Sequence, residues 1–401
     1  MTQKSILIFA CAGIAAVAFA GFDARGGLDG QGITYAMGAL VGALAGFALY
    51  HASFGFTAAW RRMSRERRGR GLRAQMVLIG LTCAVTYLLI GYEDATGLNM
   101  HPVVMPMGLS SALGALIFGI GMQLGGGCAS GTLFTSGGGS SRMLIVLAFF
   151  ILGSVWATQH IPGFWRALPD MTGIPNIPRT SLITEFGPIG AVIALLGFCG
   201  LVIWGSRVVE RRYHGRLEDV PKTQSLLHGK WSLMAGAVAL AIVGVLCFLI
   251  FQRPWGVTAG FALWGAKILN GVGVPVSEWA YWQGWRANQL EASVFANRTS
   301  LMNFGIIFGA MAAAALAGAF RPTLSLSRRD VLTAVIGGLM MGYGARLSYG
   351  CNIGAYLGGL VSGSLHGWWW LVWGFAGSLI GTRLRGLLEM DPPLTARRAA
   401  T

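Results

Sequence analysis

Long apolar stretches, set apart by short polar segments, make up most of this chain. Apolar runs stand near residues 5–20, 33–56, 75–92, 107–125, 143–158, 186–205, 231–251, 299–319, 331–348 and 368–382. Each approaches the roughly 20 residues that a helix needs to cross the hydrocarbon of a bilayer, once flanks and tilt are allowed for. The pattern predicts an all-α polytopic membrane protein of about ten transmembrane helices, with residues 1–401 forming a single integral membrane domain. The first run has the outline of a secretory signal: Lys4 precedes it, and Ala18-Phe19-Ala20 resembles a cleavage site. So many spans follow that it is read as a retained helix.

The polar segments predict the orientation. Arg61, Arg62, Arg65, Arg67, Arg68, Arg70 and Arg73 crowd the segment after the second run. Arg207, Arg211, Arg212, Arg216, Lys222 and Lys230 crowd a second, Arg321, Arg328 and Arg329 a third, and Arg383, Arg385, Arg397 and Arg398 the tail. Basic residues in short loops mark the cytoplasmic side. Even numbers of runs separate these four segments, so one side accommodates them all. The N- and C-termini are then cytoplasmic. Segments 22–32, 93–106, 159–182 and 254–297 fall outside. The third, with Pro162, Pro169, Pro175 and Pro178, reads as an ordered external loop. The fourth, with Trp255, Trp264, Trp279, Trp282 and Trp285, reads as interfacial or half-inserted helices.

Composition agrees with a bilayer as solvent. Only 11% of the residues are charged and 54% are hydrophobic, against about a quarter charged in a soluble domain. The net charge of +15 would point to nucleic acid in a soluble protein, but here it is spread over loops between apolar spans. No nucleic-acid partner is expected. The 61 glycines follow no collagen-like period. In membrane helices they allow close approach of backbones and helix breaks that line cavities.

The six cysteines form no CxxC pair, so zinc and redox-motif readings lack their spacing. Cys11, Cys83, Cys199 and Cys247 lie inside apolar runs and read as small buried hydrophobes. Cys128 and Cys351 differ, because each ends an apolar run in a glycine-rich setting. Laid over one another without a gap, Gly114, Leu116, Gly119, Gly121, Leu124, Gly127, Cys128 and Gly131 fall on Gly337, Leu339, Gly342, Gly344, Leu347, Gly350, Cys351 and Gly354. Gly153-Ser154 and Gly377-Ser378 follow at nearly matched distances. The orientation runs the two copies in opposite directions across the membrane. Two inverted repeats are therefore expected, over 33–160 and 254–385, related by an axis in the membrane plane.

The Gly-Cys-x-x-Gly pattern predicts re-entrant, glycine-rich segments carrying the cysteines, over 129–141 and 352–367. Backbone that leaves helical geometry at membrane depth is tolerated where it is buried in protein or lines a cavity. Its free N–H groups suit an anion, and a thiol adds a soft, weak donor. An anion with a terminal sulfur suits such a site better than sulfate. The candidate pathway residues are Cys128, Cys351, Gly127, Gly131, Gly350, Gly354, Gln123, Arg346 and Asn352. Arg346 lies inside an apolar span and aligns with Gln123; an intramembrane arginine is costly and usually functional or paired. His366, ahead of Trp368-Trp369-Trp370, reads as an interface anchor. No carboxylate pair, metal cluster or Ser-His-Asp pattern accompanies the cysteines, so neither an enzyme nor a cofactor is expected.

The segments Leu124-Gly125-Gly126-Gly127-Cys128-Ala129-Ser130-Gly131 and Gly342-Tyr343-Gly344-Ala345-Arg346-Leu347-Ser348-Tyr349-Gly350-Cys351-Asn352-Ile353-Gly354 resemble the paired cysteine motifs of the YeeE/YedE family, and the resemblance extends over about 36–385. It implies an inner-membrane protein of sulfur transport, hourglass-like, with re-entrant loops from both faces. It implies further that a small sulfur-containing anion, thiosulfate above all, is relayed past Cys128 and Cys351 by hydrogen bonds to their thiols. A soluble cytoplasmic sulfur-carrier protein is a partner it implies. One segment departs from the family pattern. His51-Ala52-Ser53-Phe54-Gly55-Phe56-Thr57 carries Gly55 where the family pattern has a further cysteine; Cys83 is the candidate substitute. The exact substrate is therefore open to other sulfur or selenium species. The other readings are a sulfur-transfer protein forming a cysteine persulfide, with Arg346 as the activating cation, and a membrane subunit that recruits a partner through its basic loops.

Overall fold

The computed structural model describes residues 2–323 and 325–391; the expected tail arginines Arg397 and Arg398 lie outside the described residues. Among those residues there is no β-strand, only isolated bridges between Met107 and Ile177 and between Ser181 and Ser364. Among the described residues, nine helical segments are long and apolar enough to cross a membrane. In chain order, α1 (Gln3–Ala24) and α2 (Gly32–Ala52) lead to the short α3 (Phe56–Arg61), then α4 (Arg70–Gly91) and α5 (Glu93–Thr96). Next come α6 (Leu109–Gly125), α7 (Ala129–Gly137), α8 (Ser141–His160), α9 (Arg166–Thr172) and α10 (Leu182–His214). They are followed by α11 (Leu233–Phe251), α12 (Thr258–Gly271), α13 (Ala287–Glu291) and α14 (Arg298–Leu316). The chain closes with α15 (Arg328–Leu347), α16 (Gly358–Val361) and α17 (Leu365–Leu387). The tenth expected span, 368–382, lies in α17, which also carries His366, Arg383 and Arg385.

Side-chain caps start several of these helices. Thr2, Ser181, Ser232, Asn297, Ser327 and Ser364 each accept a backbone N–H of the first turn, so orphan donors at those ends are satisfied locally. The outward faces are apolar: Ile8 and Phe19 on α1, and Ile193, Leu201 and Trp204 on α10, are exposed, as lipid-facing helices require.

Small residues close the interior. On α2 and α14, Gly46 and Gly309 lie so near the opposite backbone that a Cβ would overlap the Ile306 and Ala43 carbonyls. The contact between α6 and α15 is reciprocal. A Cβ on Gly114 would meet Gly344, and one on Gly344 would meet Gly114. Gly121 and Gly337 meet in the same way. The outer partners match as well: Gly119 approaches Gly377 and Ser378 of α17, while Gly342 approaches Gly153 and Ser154 of α8. Backbones this close maximise dispersion contact, which drives association where lipid removes the hydrophobic gain.

Three expectations change. Segment 159–182 is partly helical, holding a π-helical turn Ile161–Trp165 and α9, because Pro162 stands at the start of the turn, where its missing N–H is not needed. Cys11 is exposed on α1, which leaves it on the lipid-facing side; hydropathy alone does not separate lipid contact from core. His366 is buried rather than an interface anchor, because its Nδ1 lies 2.8 Å from Ser364 Oγ at the helix start. Segment 254–297 is built as expected from short pieces, α12, three-residue 3-10 turns and α13.

Candidate functional site

The two cysteines occupy equivalent local structures. Helix α6 stops at Gly125, where Gly126 takes φ +90°, a conformation glycine adopts without strain. The exposed carbonyls of that helix end are held by arginines. Arg142 donates to the Leu124 carbonyl at 2.9 Å and to that of Gly125, and Arg385 donates to the Gln123 carbonyl at 2.7 Å. Cations here complement the negative end of the helix dipole. Cys128 then adopts extended geometry and caps α7. Its carbonyl accepts the Thr132 N–H at 2.7 Å and the Thr132 hydroxyl at 2.9 Å. Its thiol lies 3.5 Å from Ser130 Oγ.

Helix α15 ends in the same manner. Tyr349 takes φ +64°, uncommon for a residue with a Cβ. At Gly350 a Cβ would come within 2.8 Å of Ala355 N and 2.9 Å of the Gly354 carbonyl carbon, so the turn requires glycine there. Cys351, again extended, begins a π-helical turn, Asn352–Leu357, that leads into α16. The Cys351 carbonyl accepts N–H groups from both Ala355 at 2.8 Å and Tyr356 at 3.3 Å. Backbone N–H groups of Ile353 and Gly354 face the Cys351 thiol. Short π turns of this kind recur at functional sites.

The two broken helices meet. Segment α7 touches the π turn, and Cys128 lies within electrostatic range of Cys351. Both thiols are buried, with 1% and 0% of each residue exposed. Beside them Asn352 is fully buried, yet neither its Nδ2 nor its Oδ1 has a hydrogen-bond partner among the described residues. A buried amide without partners carries an unmet desolvation cost of about 1–3 kcal/mol, so it stands ready for a polar ligand. Gly131 and Gly354 keep the space beside the thiols open: a Cβ on Gly131 would meet only Cys128 Sγ, at 3.5 Å, and one on Gly354 only Gly256, at 4.0 Å. Gly127 links α6 to Cys128 and is buried.

Gln123 and Arg346, aligned in sequence, have different surroundings. The Gln123 amide is committed: Nε2 donates to Ser378 Oγ at 2.8 Å and to the Thr57 carbonyl at 3.1 Å, while Oε1 accepts from Arg61 at 3.4 Å. Arg346, in the last turn of α15, is half-buried and makes no hydrogen bond or ion pair among the described residues. Around the π turn stands an aromatic wall missed by motif reading. Tyr356 stacks on Trp370 at 6.0 Å and meets Phe56 and Trp60 edge-on. The hydrophobic runs containing these rings are visible in sequence, but their convergence is not. Cys83 lies on α4, fully buried near Tyr87 and Cys199. Gly55 precedes α3, with no atom within 4 Å of where its Cβ would stand.

A family model described as sulphur transport matches residues 51–380. The chain belongs to the sulphur transport family. Similar proteins include the thiosulfate transporter TsuA of Spirochaeta thermophila, 27% identical over 331 residues that cover 82% of this chain and 93% of that protein. TsuA of Escherichia coli (strain K12) is 24% identical over 342 residues, covering 82% of this chain and 88% of its own length. The probable transporter YedE of the same organism is 33% identical over 153 residues, 38% of this chain. The matched part spans only 37% of the length of YedE. These relatives are named as transporters or as a probable transporter, and the family match takes in both cysteine segments, the glycine contacts between α6 and α15, and Gly55.

Proposed function

We propose that this protein carries a small sulfur-containing anion, thiosulfate first among the candidates, across the inner membrane. The observation that supports this most directly is the meeting of two helix breaks, each with a cysteine framed by glycines, beside the partnerless amide of Asn352. The thiols of Cys128 and Cys351 and the N–H groups of Ile353 and Gly354 are donors. Together they replace part of an anion's hydration without adding a fixed charge that would hold it too tightly to leave. A terminal sulfur suits the polarizable thiols, and oxygens suit the N–H groups and the Asn352 amide. Gly127, Gly131, Gly350 and Gly354 keep the passage narrow but unfilled. Arg346 supplies attraction at one end, and Gln123 holds the wall that joins α3, α6 and α17.

In this reading 33–160 and 254–385 are inverted repeats, supported by the reciprocal glycine contacts of α6 and α15. The face bearing the arginine-rich segments and both termini is cytoplasmic, in keeping with the distribution of positive charge, and a soluble sulfur carrier would take the anion there. Thiosulfate uptake by purified protein in liposomes is the test. Cys128→Ala and Cys351→Ala should each lower the rate at least about tenfold, the cost of one hydrogen bond to a charged group. Unchanged uptake in both would remove the thiols from the path. A persulfide found by mass spectrometry on either cysteine during turnover would move the protein to group transfer instead.

A further inference from the structure

A cavity of about 200 Å³ opens on the arginine-rich face, away from the two thiols. Its lining includes Ser53, Gly55, Arg62, Arg70, Trp231 and Ser232. The segment after α10 folds over it: Arg70 donates to the Asp219 carbonyl at 2.8 Å, and Trp231 N donates to the His51 carbonyl at 3.0 Å. A single carboxylate ties the two arginines together. Glu218 Oε1 lies 2.9 Å from Arg62 Nη2 and 3.5 Å from Arg70 Nη1. Arg62 also pairs with Glu66 at 3.1 Å. The arrangement is incomplete: Arg70 Nε and Glu218 Oε2 are both buried without a hydrogen-bond partner among the described residues.

One layer of residues separates this cavity from the cysteine segments. Phe54 and Gly55 line the cavity. The next residue, Phe56, meets Tyr356 of the π turn after Cys351 at 5.8 Å. Thr57, next again, is buried, and its hydroxyl has no hydrogen-bond partner among the described residues. A Cβ on Gly55 would meet nothing within 4 Å beyond its chain neighbours, so the cavity leaves room for a side chain there.

We infer that this cavity is an anion-holding chamber, in which Arg62 and Arg70 bind an oxyanion and Glu218 is the internal carboxylate that the anion displaces. The inference rests on the transport reading above for its place in the cycle. Binding itself needs only the two guanidinium groups, which recognise planar or tetrahedral oxyanions through several N–H donors. Glu218 serves two purposes. It neutralises the arginines while the chamber is empty, and it makes the anion's stay short, since the carboxylate competes for the same donors. The chamber would thus take an anion arriving past Gly55 and release it as the segment after α10 closes again over its own glutamate.

A thiol placed in the wall reports occupancy. Gly55→Cys on a Cys11→Ser background, in liposomes, is labelled with a membrane-impermeant maleimide applied to each face in turn, with thiosulfate, sulfate or chloride present. The expected result is labelling from the arginine-rich face, slowed by thiosulfate and sulfate and not by chloride. Arg62→Gln and Arg70→Gln should each weaken that protection about tenfold, one charge-assisted hydrogen bond apiece. Glu218→Gln should strengthen it, an outcome that structural damage would not produce. Labelling that no oxyanion slows, protection that survives loss of both arginines, or weaker protection in Glu218→Gln would each overturn the inference. If thiosulfate is not carried across the bilayer yet oxyanions still protect, the transport reading fails and the chamber stands; carriage without protection is the reverse.

Discussion

Asn352 and Gln123 show how much a single amide's partners decide. Both are completely buried, and both stand near a helix break. Gln123 uses its amide to tie three helices together, so it belongs to the frame. Asn352 uses neither atom. Replacing a satisfied buried amide loses hydrogen bonds, whereas replacing an unsatisfied one removes a desolvation cost. Asn352→Leu should therefore leave the protein as stable in detergent as before, or more stable, by up to about 1–3 kcal/mol. It should at the same time lower thiosulfate uptake at least about tenfold. Gln123→Leu should destabilise, because it removes the bonds that tie Ser378, the Thr57 carbonyl and Arg61 to α6. Thermal unfolding and uptake measured on the same preparations separate the two roles. A marked loss of stability in Asn352→Leu would show that its amide is satisfied within the protein.

At the scale of elements, glycine does what side-chain chemistry does elsewhere. Gly309 lets α14 lie directly on the backbone of α2, against the Ala43 carbonyl. Backbone cannot move aside as a side-chain tip can, so Gly309→Ala should cost about 1–3 kcal/mol, as overpacking does. Gly197→Ala on α10, where nothing lies within 4 Å, should be neutral or stabilising by up to about 1 kcal/mol through helix propensity. Melting temperatures of the two variants in one detergent make the comparison, and equal losses would mean that the α2–α14 contact is loose. The same contrast marks the reach of sequence reading. The spans and both helix breaks were legible, since hydropathy sets the spans and a Gly-Cys-x-x-Gly ending an apolar run sets the breaks. Periodicity does not say which face meets lipid, so Cys11 and His366 fell on the wrong sides of that division. The aromatic wall around Tyr356, the arginines that hold the end of α6 and the chamber behind Gly55 were also hidden. Each joins residues far apart in the chain, with no local pattern to mark them.

At the scale of the whole molecule, ion pairs gather along the arginine-rich segments. Asp391 receives Arg385 through two contacts, 2.6 Å and 3.1 Å, and Arg65 at 2.8 Å. Arg385 in turn holds the end of α6 through the Gln123 carbonyl. The carboxylate after α17 is thereby linked to the break that carries Cys128. Burial acts to raise the Asp391 carboxyl, but the Arg385 pair overrides it, with Arg61 and Arg65 adding to the pull, and the group is held below the ordinary aspartate range. A carboxyl lowered in the folded state contributes stability that is present above its unfolded value, ~3.9, and is lost as pH falls through the lowered value. Asp391→Asn should therefore melt below the unsubstituted protein at neutral pH, and the gap should close as the pH drops below about 4. The acid side matters because protonation and the asparagine variant remove the same charge, so the two proteins converge only if that charge is what holds Arg385 in place. Melting curves across that range in one detergent decide it: a gap that stays constant down to the lowest pH would mean that the Asp391 carboxylate contributes shape rather than charge to the hold on α6.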